Sequence, residues 1–497
     1  MLNKTLLGSA AVIMTMVGAQ AADLPSKKAA PATYVKICDA YGAGFFFIPG
    51  TDTCVKLGGY TRYELQYTPA KDLRTVSGYT SHTYKGTSGA SSTTVAANTV
   101  TSSADTQDTW GSEFRGTINL DARTPTGAGV ARSYIALRGT GTTGLRKTAY
   151  DYQYATVAPT LSSTNADFVM ERAFVQWAGF TVGLAGSNYA MIPSMTYTAN
   201  GWGGFPNGMR QVAYTAVLGG GFSATVALED KQMWGQDAGN TTVNRVDTAN
   251  VVVGNIRLDQ AWGWAAIHGV VGKHTVGNGA VGNSSSSPQL TYAATATMTG
   301  TTLNGPVTKT GYGIGTTVSF NLDMIAKGDK VWLTANYSDG FYGAVLSSGS
   351  LTSLSDGSSG GRTMGGVVRK DANIVNKGDG TYGTTTGWNV GGQLLHYWAP
   401  QWRSVFTSAY AQFTPPTQVA TNLAWGKGSV YEVRGSVIYS PVKDFDIGLE
   451  LQYLKNSNSL QNTATATTTG LAAWQAAGYP GLNNSNFTSK VRVERSF

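Results

Sequence analysis

The chain has 497 residues and a formal net charge of +8, yet only 13% of its residues are charged, against about 25% in ordinary soluble domains. Gly (63), Tyr (25) and Trp (12) are abundant. So little charge argues against a soluble enzyme, and Lys and Arg are scattered, without the dense basic runs that mark a nucleic-acid partner.

The N-terminus reads MLNKTLLGSAAVIMTMVGAQA. Lys4 supplies a positive start, Leu6 to Val17 an apolar stretch, and Ala19-Gln20-Ala21 a small-residue cleavage site. Residues 1–21 therefore read as a secretory signal peptide; a retained anchor helix is the weaker alternative, because the apolar run is short for a membrane span. Residues 22–53 read as a periplasmic N-terminal segment. It opens on ADLPSKKAAPAT, with little to bury, and ends in a loop closed by Cys38 and Cys54, the only two cysteines. Export brings them to oxidising conditions, where they can bond to each other. Such a bridge stabilises by about 3 kcal/mol in the chain-entropy model. Metal binding is the poorer alternative, since zinc wants four ligands and the nearest histidine in sequence is His82.

After the leader, no stretch of about 18 apolar residues follows, which excludes spanning helices. An exported, charge-poor, aromatic-rich chain without helical spans points to a closed β-barrel in an outer membrane. Residues 54–497 carry the matching pattern. In VKLGGYTRYELQY, Val55, Leu57, Tyr63, Leu65 and Tyr67 share one parity, and Lys56, Arg62, Glu64 and Gln66 the other. A period of two puts these sets on opposite faces of a strand: lipid for one, water for the other. SEFRGTINLD, ANVVVGNIRLD, SVYEVRGSVIY and DFDIGLELQY repeat it.

Short connections at 122–129, 178–179, 219–221, 260–263, 324–328, 399–400 and 441–443 alternate with long ones near 68–110, 140–167, 189–208, 231–248, 272–309, 340–385, 414–428 and 456–486. That alternation gives an all-β antiparallel transmembrane barrel of about sixteen strands, with short periplasmic turns and long extracellular loops. The chain ends KVRVERSF, with Val491, Val493 and Phe497 on one parity and Lys490, Arg492 and Glu494 on the other. Arg495 falls on the apolar parity, where its long side chain can snorkel.

CDAYGAGFFFIPGTDTCVKLGGYTRYEL resembles the N-terminal signature of alphaproteobacterial, Rhizobiales-type general porins, through the cysteine pair, the aromatic run before Ile48-Pro49-Gly50, and Gly59-Tyr60-Thr61-Arg62-Tyr63. FVQWAGFTVGLAGS (174–187) looks like the strand pair before that family's constriction loop. The resemblance implies a sixteen-stranded outer-membrane barrel, usually trimeric, that lets small hydrophilic solutes and ions diffuse. It also implies a third long loop folded inward, here 189–207, and a terminal Phe497 of the kind read by barrel assembly machinery. Outer-membrane lipid and lipopolysaccharide are then the surroundings. The aromatic run Phe45–Ile48 either packs on the barrel or a neighbouring subunit, or forms the core of the cross-linked segment.

Loop 189–207 contains no Asp or Glu, whereas general porins typically carry acids there. Its absence implies weak cation preference or mild anion preference. Tyr197 and Trp202 are candidates for narrowing the channel, with Met191, Met195 and Phe205, or else they wedge the loop against the wall. Arg62, Glu64, Arg115, Arg132, Arg138, Arg172, Arg257 and Arg434 fall on or near lumenal parity and are candidates for lining it, since rings of charge tune ion selectivity. The competing role for each arginine is a lumenal ion pair with acids such as Glu113, Asp121 and Glu432. Glu171 and Arg172 cannot share a face, which requires a bulge or an outward Glu171.

No nucleophile elbow, phosphate loop or helical metal pair occurs, so neither catalysis nor a cofactor or metal is expected. Two other functions fit a barrel with long loops: a surface adhesin or receptor, and a substrate-specific sugar or anion channel.

Overall fold

A computed structural model describes residues 36–68, 71–77, 81–85, 91–95, 99–105, 109–144, 165–198, 208–230, 250–276, 307–346, 373–376, 382–417, 424–461 and 483–497. The expected leader, residues 1–21, lies outside them.

Sixteen antiparallel strands form the wall: β1 (Cys54–Thr68), β2 (Thr109–Thr126), β3 (Gly129–Gly144), β4 (Asn165–Trp177), β5 (Phe180–Ala185), β6 (Met209–Gly219), β7 (Phe222–Glu229), β8 (Val251–Gln260), β9 (Gly263–Val276), β10 (Val307–Asn321), β11 (Lys330–Asp339), β12 (Thr386–Ala399), β13 (Trp402–Thr414), β14 (Ala424–Val442), β15 (Phe445–Gln461) and β16 (Asn483–Ser496). Each pairs with the next, and β16 returns to β1 with Ser496 opposite Tyr60 and Ser489 opposite Tyr67. Closure leaves no edge, so the wall's backbone N–H and C=O groups find partners in the ring; lipid offers none.

The period-two reading holds on the outer face. Tyr63, Phe114, Ile118, Ile256, Val437, Leu449 and Val491 project outward, while Glu64, Glu113, Glu432, Glu450 and Arg492 are buried inside. Aromatic side chains gather at both ends of this apolar band, including Trp177, Phe222, Trp262, Trp398 and Trp402 at one and Trp110, Phe168, Tyr312 and Trp388 at the other. On β10 the belts are marked by Tyr312 and Phe320. That stretch of tilted strand covers about 20 Å, close to the apolar height of an outer-membrane barrel.

All seven short connections lie at one end. Ala178 and Gly179, with φ of 49° and 87°, turn β4 directly into β5. Both left-handed residues match the strand twist of a two-residue hairpin. The first long connection carries two small hairpins, Lys71–Ser77 with Thr99–Asp105 and Ser81–Lys85 with Ser91–Val95.

Cys38 and Cys54 are disulfide-bonded. Phe45 is buried against both, with Tyr41 and Phe47 packed around it. Of the run Phe45–Ile48, Phe45 and Phe47 thus build the core of the cross-linked segment, while Ile48 is exposed. The segment is also fastened to the barrel's short-turn end, because the Arg123 guanidinium lies 5.0 Å from the Phe45 ring and 5.7 Å from that of Tyr41. At the same end Phe497 exchanges backbone hydrogen bonds with Gly59. Arg495 points outward and donates to the Lys443 carbonyl in the last turn.

The interior is not uniformly polar. One apolar cluster joins Ile192, Trp332, Tyr342, Val345, Leu346, Leu395, Val405 and Phe413. A second joins Tyr189, Met209, Val251, Val253, Val270, Phe341 and Ala344. Both combine wall residues with side chains from connections that fold into the lumen.

Candidate functional site

The connection after β5 turns into the barrel and crosses it. Its near end is held by β6, β7 and β8. Gln211 donates to the Gly186 carbonyl (2.6 Å), and Glu229 accepts from the Ser187 hydroxyl (2.9 Å) and the Asn188 amide (2.7 Å). Asn255 donates to the Asn188 carbonyl (2.9 Å). Midway, Gln393 of β12 donates to the Pro193 carbonyl (3.2 Å) and accepts from the Met195 amide (3.3 Å). At the far end, Glu450 of β15 accepts from the amides of Tyr197 (2.5 Å) and Thr198 (3.0 Å) and from the Thr198 hydroxyl (2.7 Å).

Three cations complete that anchorage. Arg434 donates to the Thr198 carbonyl and, at 2.9 Å, to the Thr196 hydroxyl. Arg492 donates to the Tyr197 carbonyl (2.7 Å) and stacks 4.1 Å from its ring. Lys490 reaches the Thr198 hydroxyl at 2.6 Å. An irregular segment inside a barrel must satisfy its backbone groups, and here the wall does so. Gly448 completes the seat, because a β-carbon there would overlap the Tyr197 hydroxyl. The loop's missing acids thus have a counterpart on the wall: Glu229 and Glu450 face loop amides, and the cations face loop carbonyls.

Where β16, β1 and β2 meet, charges form two rows. Glu494, Arg62 and Arg115 lie opposite one another in one row, and Arg492, Glu64 and Glu113 in the next. Like charges directly opposite destabilise a sheet. The pairs Arg62–Glu494 (2.7 Å), Arg115–Glu113 (3.0 Å) and Arg492–Glu64 (2.6 Å), with Lys490 at 3.8 Å from Glu64, offset this. The carboxylates of Glu64 and Glu113 are fully buried, while Arg62 and Arg115 keep 13% and 14% of their side chains exposed. In this pair of rows arginine, more than these two glutamates, reaches the water.

The other candidates are spread in height. Arg138 is buried and lies 3.5 Å from Glu171. The strand register shifts between Ala136 and Leu137, opposite Arg172 and Met170, so Glu171 is the bulged residue and Arg172 resumes the lumenal parity. Arg132 pairs with Asp121 (2.9 Å) and Gln176 (2.9 Å) at the short-turn mouth. Arg257 pairs with Asp259 (2.7 Å) and stacks 4.1 Å from Trp264, likewise near that mouth. Arg434 also contacts Glu432. Tyr197 is seated as described; Trp202 and Phe205, with the rest of 199–207, lie outside the described residues. Sequence reasoning did not single out Lys490, Arg492, Glu450, Glu229, Asn255 or Gln393. Lumenal parity was the available signal for Lys490, Arg492 and Glu450; the contact with the loop depends on how a distant segment folds.

The porin-subfamily model matches residues 23–477. Porin Omp2b of Brucella suis is 30% identical over 292 residues, covering 55% of this chain and 66% of that protein. Porin Omp2a of Brucella ovis is 30% identical over 294 residues, covering 55% and 71%. The match thus spans about two thirds of these relatives. In fold, the chain is similar to the outer membrane channel DcaP of Acinetobacter baumannii, with a TM-score of 0.54, 16% identity, and coverage of 91% of this chain and 99% of that one. The sixteen-strand ring, its apolar outer belt and the inward third loop agree with the family match: the chain belongs to the porin subfamily and is a β-barrel of the outer membrane.

Proposed function

We propose that the chain forms a water-filled channel through which small hydrophilic solutes and ions diffuse passively. The observation that carries this reading is the loop at 186–198, which runs from Gln211 and Glu229 on one side of the lumen to Glu450 on the other and faces a wall of paired charges. Arg62, Arg115 and Arg172 on β1, β2 and β4 form the wall such solutes would meet, Glu64 and Arg138 lie buried behind it, and Tyr197 borders it. Arg132 and Arg257 act nearer the short-turn mouth. We assign no catalytic step to this site.

A homotrimer in a bilayer carrying lipopolysaccharide goes with this reading, as the resemblance to Rhizobiales-type porins implies. Swelling of proteoliposomes in neutral sugars tests the channel. Swelling rates that fall smoothly with sugar size and do not saturate are expected. Saturation at low solute concentration would point instead to a substrate-specific channel, and no swelling by folded protein would reject diffusion.

A further inference from the structure

The lumen receives a second inward segment. After β11 the chain turns at Gly340, whose φ is 75°, and runs through Phe341–Leu346 with a single 3-10 turn at Tyr342–Ala344. Phe341, Ala344 and Val345 are 0% exposed. Its polar groups are met. The Gly340 amide donates to the Thr385 carbonyl (2.9 Å), the Tyr342 amide to the Asn373 side chain (2.8 Å), and Asn389 of β12 to the Val345 carbonyl (2.5 Å).

The wall is shaped to receive it. Gly272 of β9 and Gly311 and Gly313 of β10 point inward, and none has a left-handed φ that would require glycine. A β-carbon at Gly272 would come within 3.1 Å of the Phe341 ring, and one at Gly313 within 2.9 Å of the Ala344 methyl. One at Gly311 would come within 2.9 Å of the Gly340 carbonyl oxygen. The bare inner faces of Gly311 and Gly313 thus form a recess for the segment, while the space at Gly315 is taken by Asn336 and His268. Tyr342 packs 4.3 Å from Phe413 of β13, and Phe341 4.7 Å from His274 of β9. The segment also shares both apolar clusters with the crossing loop, through Ile192 in one and Tyr189 in the other.

We infer that Gly340–Leu346 is a second constriction element, which fills the lumen along β8–β14, backs the crossing loop, and with it sets the size limit of the solutes that pass. This rests on the channel reading. Passage is then confined to the side bounded by β1–β4, and solute size depends on a segment that carries no charge.

The test compares purified, reconstituted wild type with Gly313→Leu, which fills the recess, and Gly435→Val, whose added side chain meets open space. For Gly313→Leu, which pushes the segment off the wall toward the passage, single-channel conductance is expected to fall by about two-fold or more, as passage through a filter follows its lining and width. The largest sugar admitted should fall with it, while Gly435→Val matches wild type. A folded Gly313→Leu with unchanged conductance and sugar limit overturns the inference and leaves the channel reading standing. A wild type without conductance rejects the channel reading, and the inference with it. Should Gly313→Leu not fold, the double variant Phe341→Ala/Tyr342→Ala, which removes ring volume, replaces it: conductance and the sugar limit should then rise, and unchanged values overturn the inference. Seating is read separately with Gly313→Cys/Ala344→Cys, whose β-carbons lie close enough to bond after a small adjustment. Peptide mapping should find that bridge in the folded protein, and its absence under oxidising conditions counts against the inference.

Discussion

Glu64 shows how much a single lumenal residue holds. It is fully buried, and both Arg492 and Lys490 lean on it while they also grip the crossing loop. Glu64→Ala leaves two buried cations short of a counter-charge, which costs about 3–5 kcal/mol. Urea unfolding in detergent, followed by tryptophan fluorescence, should show that loss, and Glu64→Asp should recover part of it. Gly448 makes a different prediction. Gly448→Val removes no charge but occupies the seat of Tyr197, so stability should fall while conductance becomes larger or noisier; planar-bilayer recording checks this. The parity of KVRVERSF already placed Lys490 and Arg492 inside, and Glu450 followed from DFDIGLELQY. Their grip on Tyr197 and Thr198 was not legible, because residues more than two hundred positions apart meet only once the ring has closed.

At the scale of elements, the strands were the most legible part. Lipid outside and water inside impose a period of two, and two-residue turns impose Gly and positive φ, so both left clear marks in the sequence. The inner apolar positions left none. Val251 and Val253 face inward, yet they sit in a run of three valines whose parity cannot be read from hydrophobicity. They are apolar because Tyr189 and Phe341 cover them, and those residues come from connections. The N-terminal element gives its own prediction. Cys38→Ser/Cys54→Ser should leave the barrel folded while loosening the segment around Phe45 by about 3 kcal/mol. Limited proteolysis should then cut within 36–53, with the barrel band still heat-modifiable in gel electrophoresis. Equal protection with and without the bridge would contradict this.

At the scale of the whole molecule, the ring combines two kinds of interior. One side is packed by inward segments against β6–β15, as in the core of a soluble domain; the other, along β16 and β1–β4, carries paired charges. Acids and bases are neighbours along each of β16, β1 and β2, the crossing loop contributes no carboxylate, and the cations beside it are spent on its carbonyls. Such a wall gives weak selectivity, without the strong cation preference that an acidic loop confers. The direct measurement is the reversal potential of purified wild-type protein in a planar bilayer under a salt gradient. Discrete conductance steps with a reversal potential near zero, or displaced modestly toward anion preference, are predicted. Strong cation selectivity would contradict the reading of the wall, and an absence of steps from folded protein would contradict the open channel itself.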